Sequence, residues 1–409
     1  MIKNTLLTVV FILLINNAFA QQTAAQEGPT IGKLYWVGGN QLCRANPDGS
    51  QFEVLVKDLE APDGLVVSLL EQQVYWTNMA RGPNGSLQRS NLAGAGLEGD
   101  GKYLVAPGSF ETGKEIELDT DTGKLYWADR DGKKVMRANR DGSEVEVFVE
   151  QFVDADGTTV ALENPVGIAL DLEQRQIYFT DRFMARVMRA SLDQSPQSIR
   201  KDVQTLIRGN REVSRPIDID LDLDAGLMYW TDRGEHTISV ARLDGSDAKI
   251  IVDQNKTEIE DPIGISLDLA AQQMVWTDMT THKIHRANLD GSQIETILAG
   301  ESLLNGLPYG PLGIVTLALE PNRGSRLGGQ EVAVIGSNFV VGNTQVMLGK
   351  ELAKNVEVVD QTLLRFTTPP GKIATVDLTI TTPLGSVSRD RAYTYLSEKN
   401  YSEDLTTRN

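Results

Sequence analysis

The sequence is poor in the residues that most enzyme and metal chemistry relies on. Its 409 residues contain one cysteine, Cys43, and three histidines, His236, His282 and His285. A single thiol excludes an intramolecular disulfide framework and any multi-cysteine zinc site. Three histidines leave little for acid–base or metal chemistry, and no nucleophile–base spacing accompanies them. Basic residues are in deficit, 39 against 56 acidic, for a net charge of −17. Nucleic acid is therefore excluded as a partner, because phosphate contacts need clustered Lys and Arg. Beyond the first twenty residues no apolar run reaches about 18 residues, so no transmembrane segment is expected. Tryptophan is scarce as well, at five residues, yet all five fall in one recurring pattern.

The N-terminus reads as an address. A basic start at Lys3 precedes an apolar run from Leu6 to Ile15, and Ala18-Phe19-Ala20 offers small residues for cleavage. This pattern predicts a signal peptide over 1–20, cleaved near Ala20, followed by a linker over 21–30. The mature chain is then expected to be secreted or periplasmic, stabilised by its cores without disulfides.

Six copies of one unit follow. Tyr-Trp-Thr-Asp and its variants recur with the anchors Trp36, Trp76, Trp127, Phe179, Trp230 and Trp276, spaced 40, 51, 52, 51 and 46 residues apart. Such a period marks a propeller or a related repeat architecture. The motif ends in Asp129, Asp181, Asp232 and Asp278, with Gly38 and Asn78 in the first two copies. A second motif, as in Val135–Ser143, carries Arg44, Arg89, Arg137, Arg189 and Arg286, whereas the fifth copy has Val240. Its Asp-Gly pairs at 48–49, 141–142, 244–245 and 290–291 predict hairpin turns. Each Asp and Arg is expected to form hydrogen-bonded pairs, with each other or with backbone, since an unpaired buried charge is costly. A third motif, Pro-x-Gly-Ile-x-Leu-Asp, precedes the aromatic anchors but is missing before Trp36. It reappears after the sixth copy at Pro311–Leu317, which predicts that this segment supplies the innermost strand of the first blade and closes the ring.

These motifs resemble the class B repeats of the low-density-lipoprotein receptor, the YWTD family. The resemblance implies a six-bladed β-propeller over about 31–319. From 320 to 396, short strands alternate with turns, including Gly328-Gly329 and Pro369-Pro370-Gly371. This segment predicts a small β-sandwich and resembles the IPT/TIG immunoglobulin-like family, whose members serve as spacers or interaction modules. Residues 397–409 read as a polar, mobile tail. The fold class is thus all-β, a propeller followed by an Ig-like sandwich, with the oligomeric state left open.

One constellation suggests a ligand face. Arg130, Arg182 and Arg233 directly follow the motif Asp in three consecutive copies. Glu115 and Asp218 replace the Gly of the third motif in blades three and five, and Asp63 precedes it in blade two. Strand order puts both sets at one mouth of the ring. His236 and His282, six residues after their tryptophans, occupy equivalent loops and read as loop polars or a metal pair. Cys43 aligns with Gln88, Met136, Met188, Ser239 and His285, a variety that suits packing better than nucleophilic chemistry. The leading expectation is a secreted, non-enzymatic binding protein, with an extracellular or envelope protein or glycan as partner and no cofactor. The alternative is a calcium-dependent hydrolase or lyase resembling the gluconolactonase family, with Glu115, Asp218 and Asp63 as oxygen ligands.

Overall fold

A computed structural model describes residues 33–299, 312–335 and 339–407, except 69–72, 80–81, 92–102, 195–198, 210–211, 270, 316–318, 340–341, 360–362 and 383–384. The signal peptide and linker expected over residues 1–30 lie outside the described residues. Six four-stranded antiparallel sheets form the blades. Within each, the inner strand carries the Pro-x-Gly-Ile motif or its variant, the second carries Tyr-Trp-Thr-Asp, and the third the Arg motif. Blade three, for example, runs Gly113–Asp119, Lys124–Asp129, Lys134–Asn139 and Glu146–Val149. The second strands are buried along almost their whole length, consistent with sheets packed face to face in a ring.

The ring closes as the motif order predicts. Leu312–Val315 pairs antiparallel with Lys33–Gly38, in the register Lys33 with Val315 and Trp36 with Leu312. The aromatic anchors are buried, and each faces its cross-strand neighbour on the third strand: Trp36 with Cys43, Trp276 with His285, Phe179 with Met188. Cys43 is accordingly a packing residue, and burial pushes its thiol up to about 12. The Asp-Gly turns need glycine twice over. Gly142 has φ +86°, and a Cβ there would lie 2.1 Å from the Leu104 carbonyl of the preceding blade.

The motif threonine joins neighbouring blades. Thr231 Oγ1 accepts from Asp218 N at 3.1 Å in its own blade and donates to the Ile263 carbonyl of blade six at 2.6 Å. Thr180 does the same between Gly167 N, at 2.9 Å, and the Ile217 carbonyl, at 2.7 Å. Thr77 links Gly64 N to the Lys114 carbonyl. Blade three has Ala128 in this place. There Arg175 of blade four reaches Asp119 of blade three at 2.8 Å, and it also meets Asp121 and Asp193.

The second domain is a sandwich of two sheets, one ordered Leu319–Glu320, Glu331–Ile335, Leu363–Thr367, Lys354–Val358 and the other containing Thr375–Thr382 and Gly385–Leu396. Val332, Val334, Leu364 and Phe366 face its core with Tyr393 and Tyr395. Ala333 and Leu363, on the alternate face, share a buried cluster with Tyr35 and Leu65 of blades one and two. Arg323 pairs with Asp121 at the turn that ends blade three's inner strand. The sandwich therefore docks on the propeller, a contact that its reading as a spacer or interaction module did not specify. The C-terminal segment also departs from expectation: Glu398–Thr407 forms an α-helix, with Arg326 on Glu398 at 3.1 Å.

Replacing Thr231 with Val keeps the shape but leaves Asp218 N–H and the Ile263 carbonyl without their partner. A loss of about 1–3 kcal/mol is expected, read as a lower urea midpoint at unchanged slope.

Candidate ligand site at the channel mouth

The motif aspartate builds this mouth from backbone. Asp181 accepts from Glu163 N and Asn164 N, just before the inner strand of its blade, and from Phe183 N and Met184 N in the turn that follows it, at 2.8–3.1 Å. Asp129, Asp232 and Asp278 hold the equivalent loops. A carboxylate accepting several N–H bonds is well satisfied while ionised. The aspartate thus takes backbone, and the arginine of the second motif pairs elsewhere. Arg137 Nε donates to Glu146 at 2.6 Å, Arg286 Nε to Glu295 at 2.6 Å, and Arg189 to Gln204 at 2.7 Å, each on the fourth strand. Asn78, standing for Asp in blade two, turns to Ser86 and Gln88 instead.

The residue after each aspartate is pinned by its own N–H. Arg130 N donates to the Thr112 carbonyl, Arg182 N to Asn164 and Arg233 N to Arg215, all at 2.9–3.0 Å. This aims the three side chains at the axis. They line one cavity of about 140 Å³ together with Asp63, Glu115 and Asp218, the six residues that the sequence grouped, and with Lys114. An outer vestibule of about 370 Å³ shares Arg182 and Arg233 and adds Arg215 and His236. His236 and His282 adopt the same left-handed turn position, φ 57° and 55°, but His282 lines neither space. His236 Nδ1 bonds the Glu260 carbonyl, so a metal pair gains no support, and both rings are half-buried in place of the exposed loops expected.

Charge is distributed unevenly over this site. Arg130 pairs with Asp131 at 2.7 Å, Arg233 with Asp261, and Lys114 with Asp63 at 2.7 Å. Arg182 has no carboxylate partner among the described residues; its guanidinium lies 5.2 Å from the ring centroid of Phe183, which is 60% exposed. Burial and the neighbouring Arg233, Arg215 and Arg130 push its pKa down. The sequence offered no signal for Phe183 or Arg215, whose value lies in where the turn places them.

Below the arginines, acids line the channel. Glu115 and Glu117 alternate on blade three's inner strand, and Asp218 and Asp220 on blade five's, so each pair shares one face of its strand, and Glu115 and Asp218 line the cavity. Burial first, then their mutual repulsion, raises Glu115 and Glu117 well above the usual carboxylate range; Asp218 is raised mainly by burial and Asp220 is pushed up to about 6. Asp218 spends both oxygens on Ile219 N and Ile265 N, at 2.9 and 2.8 Å, and Asp220 reaches Leu221 N and Leu267 N. These aspartates join the inner strands of blades five and six. With Asp218 so engaged and Asp63 on Lys114, the acids named for calcium do not fit a shared oxygen cage. The glycines of the intervening blades allow this spacing: a Cβ on Gly167 would meet the Ile217 carbonyl at 2.4 Å.

Comparison with known proteins places the chain. The class B repeat of the low-density lipoprotein receptor matches residues 226–269, and the IPT/TIG domain matches 315–395. A low-density lipoprotein receptor-related protein 1 of Pyricularia oryzae is 35% identical over 225 residues, 50% of this chain and 70% of that protein. The chain belongs to the low-density lipoprotein receptor class B repeat family. A 3-hydroxyacyl-CoA dehydrogenase-like protein of Cochliobolus heterostrophus is 30% identical over 203 residues, 46% of this chain and 41% of that protein. The solved nidogen/laminin complex contains a chain that superposes with TM-score 0.55 at 18% identity, covering 69% of this class B repeat chain and 98% of its own length. That similarity shows the propeller fold.

The channel acids set a pH dependence. Their folded pKa values lie above the unfolded ones, so the stability they contribute is full below about pH 4 and is lost as pH rises through about 6 for Asp220. Asp220→Asn removes that proton, and the slope of unfolding free energy between pH 4 and 7 should become shallower. An unchanged slope in urea titrations across this range contradicts the assignment.

Proposed function

We propose that this protein is a secreted, non-enzymatic binding protein whose channel mouth takes an acidic side chain of a partner protein. The observation that carries this reading is Arg182: a half-buried guanidinium beside three other arginines, without a carboxylate of its own among the described residues. A partner carboxylate supplies what Arg130 and Arg233 already have in Asp131 and Asp261, and bidentate Arg–carboxylate geometry gives it direction. Phe183, exposed at the rim, offers an apolar surface for a residue beside that carboxylate. Burial raises the pKa values of Glu115, Glu117, Asp218 and Asp220 underneath, which weakens the opposition of these acids to an incoming carboxylate. Membership of the class B repeat family supports a protein partner, as does the structural neighbour in the nidogen/laminin complex. The segment 1–20, with its Ala18-Phe19-Ala20 site, supports export.

Selection from a random displayed-peptide library tests this. Wild-type protein should enrich peptides carrying Asp or Glu beside an apolar residue, with affinity that falls as salt rises. Arg182→Ala should weaken the enriched peptides by about tenfold or more, the loss of one charge-assisted contact of about 1.5–3 kcal/mol. If the Arg182→Ala/Arg233→Ala double variant selects the same peptides with the same affinity, the mouth is not the site.

A further inference from the structure

The third-strand arginine has repeating surroundings in the blades that carry it. In blade four, Arg189 lies 5.9 Å from the Tyr178 ring centroid, donates to Tyr178 Oη at 3.4 Å, and reaches the Leu243 carbonyl of blade five at 3.4 Å. Arg286 makes the equivalent reach to the Pro47 carbonyl of blade one. Arg44 and Arg137 bond Tyr35 and Tyr126, and Asp141 of blade three, held low chiefly by its hydrogen bonds from Ser143, also feels the Arg89 charge. The arginine therefore fills the groove between its blade and the next, between a tyrosine hydroxyl, a turn carbonyl and the aspartate of an Asp-Gly turn. On the outer side Glu53, Glu146 or Glu295 completes its pairing.

Blade five breaks the pattern at two positions in register. Val240 stands opposite Tyr229, and Lys249 stands opposite Val240 where those three blades place glutamate. The groove between blades five and six is consequently open, a cleft of about 570 Å³ whose walls include Tyr229, Val240, Leu289, Asp222, Asp290 and Lys249. Leu289 is the counterpart of Leu243 and Pro47, and Asp290 of Asp141. Tyr229 makes no side-chain hydrogen bond among the described residues, unlike Tyr178. Burial first, then the charges of Asp222 and Asp290, push its phenol up to about 12.

The geometry points to a second binding site, in which the cleft between blades five and six receives an arginine side chain from a partner protein. The stem lies along Val240 and Leu289, and the guanidinium meets the Tyr229 ring and hydroxyl, the Leu289 carbonyl and Asp290, as Arg189 and Arg286 meet their own grooves. Lys249 is exposed at the outer edge and selects against a lone cation. It favours an arginine accompanied by a carboxylate, since a partner acid there takes the place of the missing glutamate. This site shares no residue with the channel mouth, so the two readings stand or fall separately.

A blocked dipeptide, acetyl-Asp-Arg-amide, is the probe, with its norleucine counterpart as the control that lacks the cation, titrated into the full chain while valine and leucine methyl resonances are followed. The arginine peptide should shift the Val240 and Leu289 methyls, with a dissociation constant on the order of 1 mM and at least about tenfold discrimination against norleucine. Val240→Arg/Lys249→Glu, which rebuilds the pair of the other blades, should abolish binding and raise the melting temperature. Should that variant not fold, Val240→Met fills the cleft without charge and must also block the probe. No methyl shift with the arginine peptide, an equal response to norleucine, or undiminished binding to a cleft-filling variant that folds overturns the proposal.

Discussion

The structure depends on one small group, the threonine hydroxyl of the repeated motif. Sheets in a ring touch through side chains, and side-chain packing alone allows adjacent blades to slide. A hydroxyl that accepts from its own inner strand and donates to the next fixes the spacing of two inner strands in the buried interior. Both bonds are shielded from water, so neither is exchanged cheaply for solvent. Where Ala128 breaks the series, a charged clasp from Arg175 spans the same junction, and Arg323 of the sandwich joins it at Asp121. The second domain thus braces the junction between blades three and four.

The rigidity of the inner strands is what allows a charged mouth. Buried acids on the inner strands of blades three and five, and arginines aimed inward by a single backbone N–H, are expensive arrangements that a softer scaffold would relax. Here the aspartate at the end of each motif secures the loop on one side and the turn on the other. The side chains that follow it have little freedom to retreat from one another. Arg182 is held among like charges for this reason, and the tension between those charges is the basis of the selectivity assigned to the mouth.

Much of this was legible in the amino-acid order, and the limits of legibility have physical causes. The anchors Trp36 to Trp276, the displaced Pro-x-Gly-Ile strand and the Asp-Gly turns repeat, so each copy supports the reading of the others. The grouping of Asp63, Glu115 and Asp218 with three arginines followed from strand direction alone, and all six line one cavity. What did not repeat was harder to read. The docked face of the sandwich rests on Ala333 and Leu363, two ordinary apolar residues whose outward orientation matters only because another domain meets them. The terminal helix has a polar sequence without an apolar stripe, so periodicity gave no sign of it. Arg200, buried against Phe148 and paired with Asp202, belongs to no motif at all.

The closing strand has a consequence for how the molecule is made. Lys33–Gly38 is among the first parts of the propeller to leave a ribosome or a translocation pore, yet its inner-edge partner is Leu312–Val315. Until that partner arrives, blade one presents an unpaired edge, and every other blade is already in a position to form its own hairpins. An unpaired edge is a place where chains join each other by mistake. The last strand of the ring therefore acts as an assembly checkpoint. A truncated or stalled chain keeps an adhesive flank, and a completed one loses it in a single pairing step.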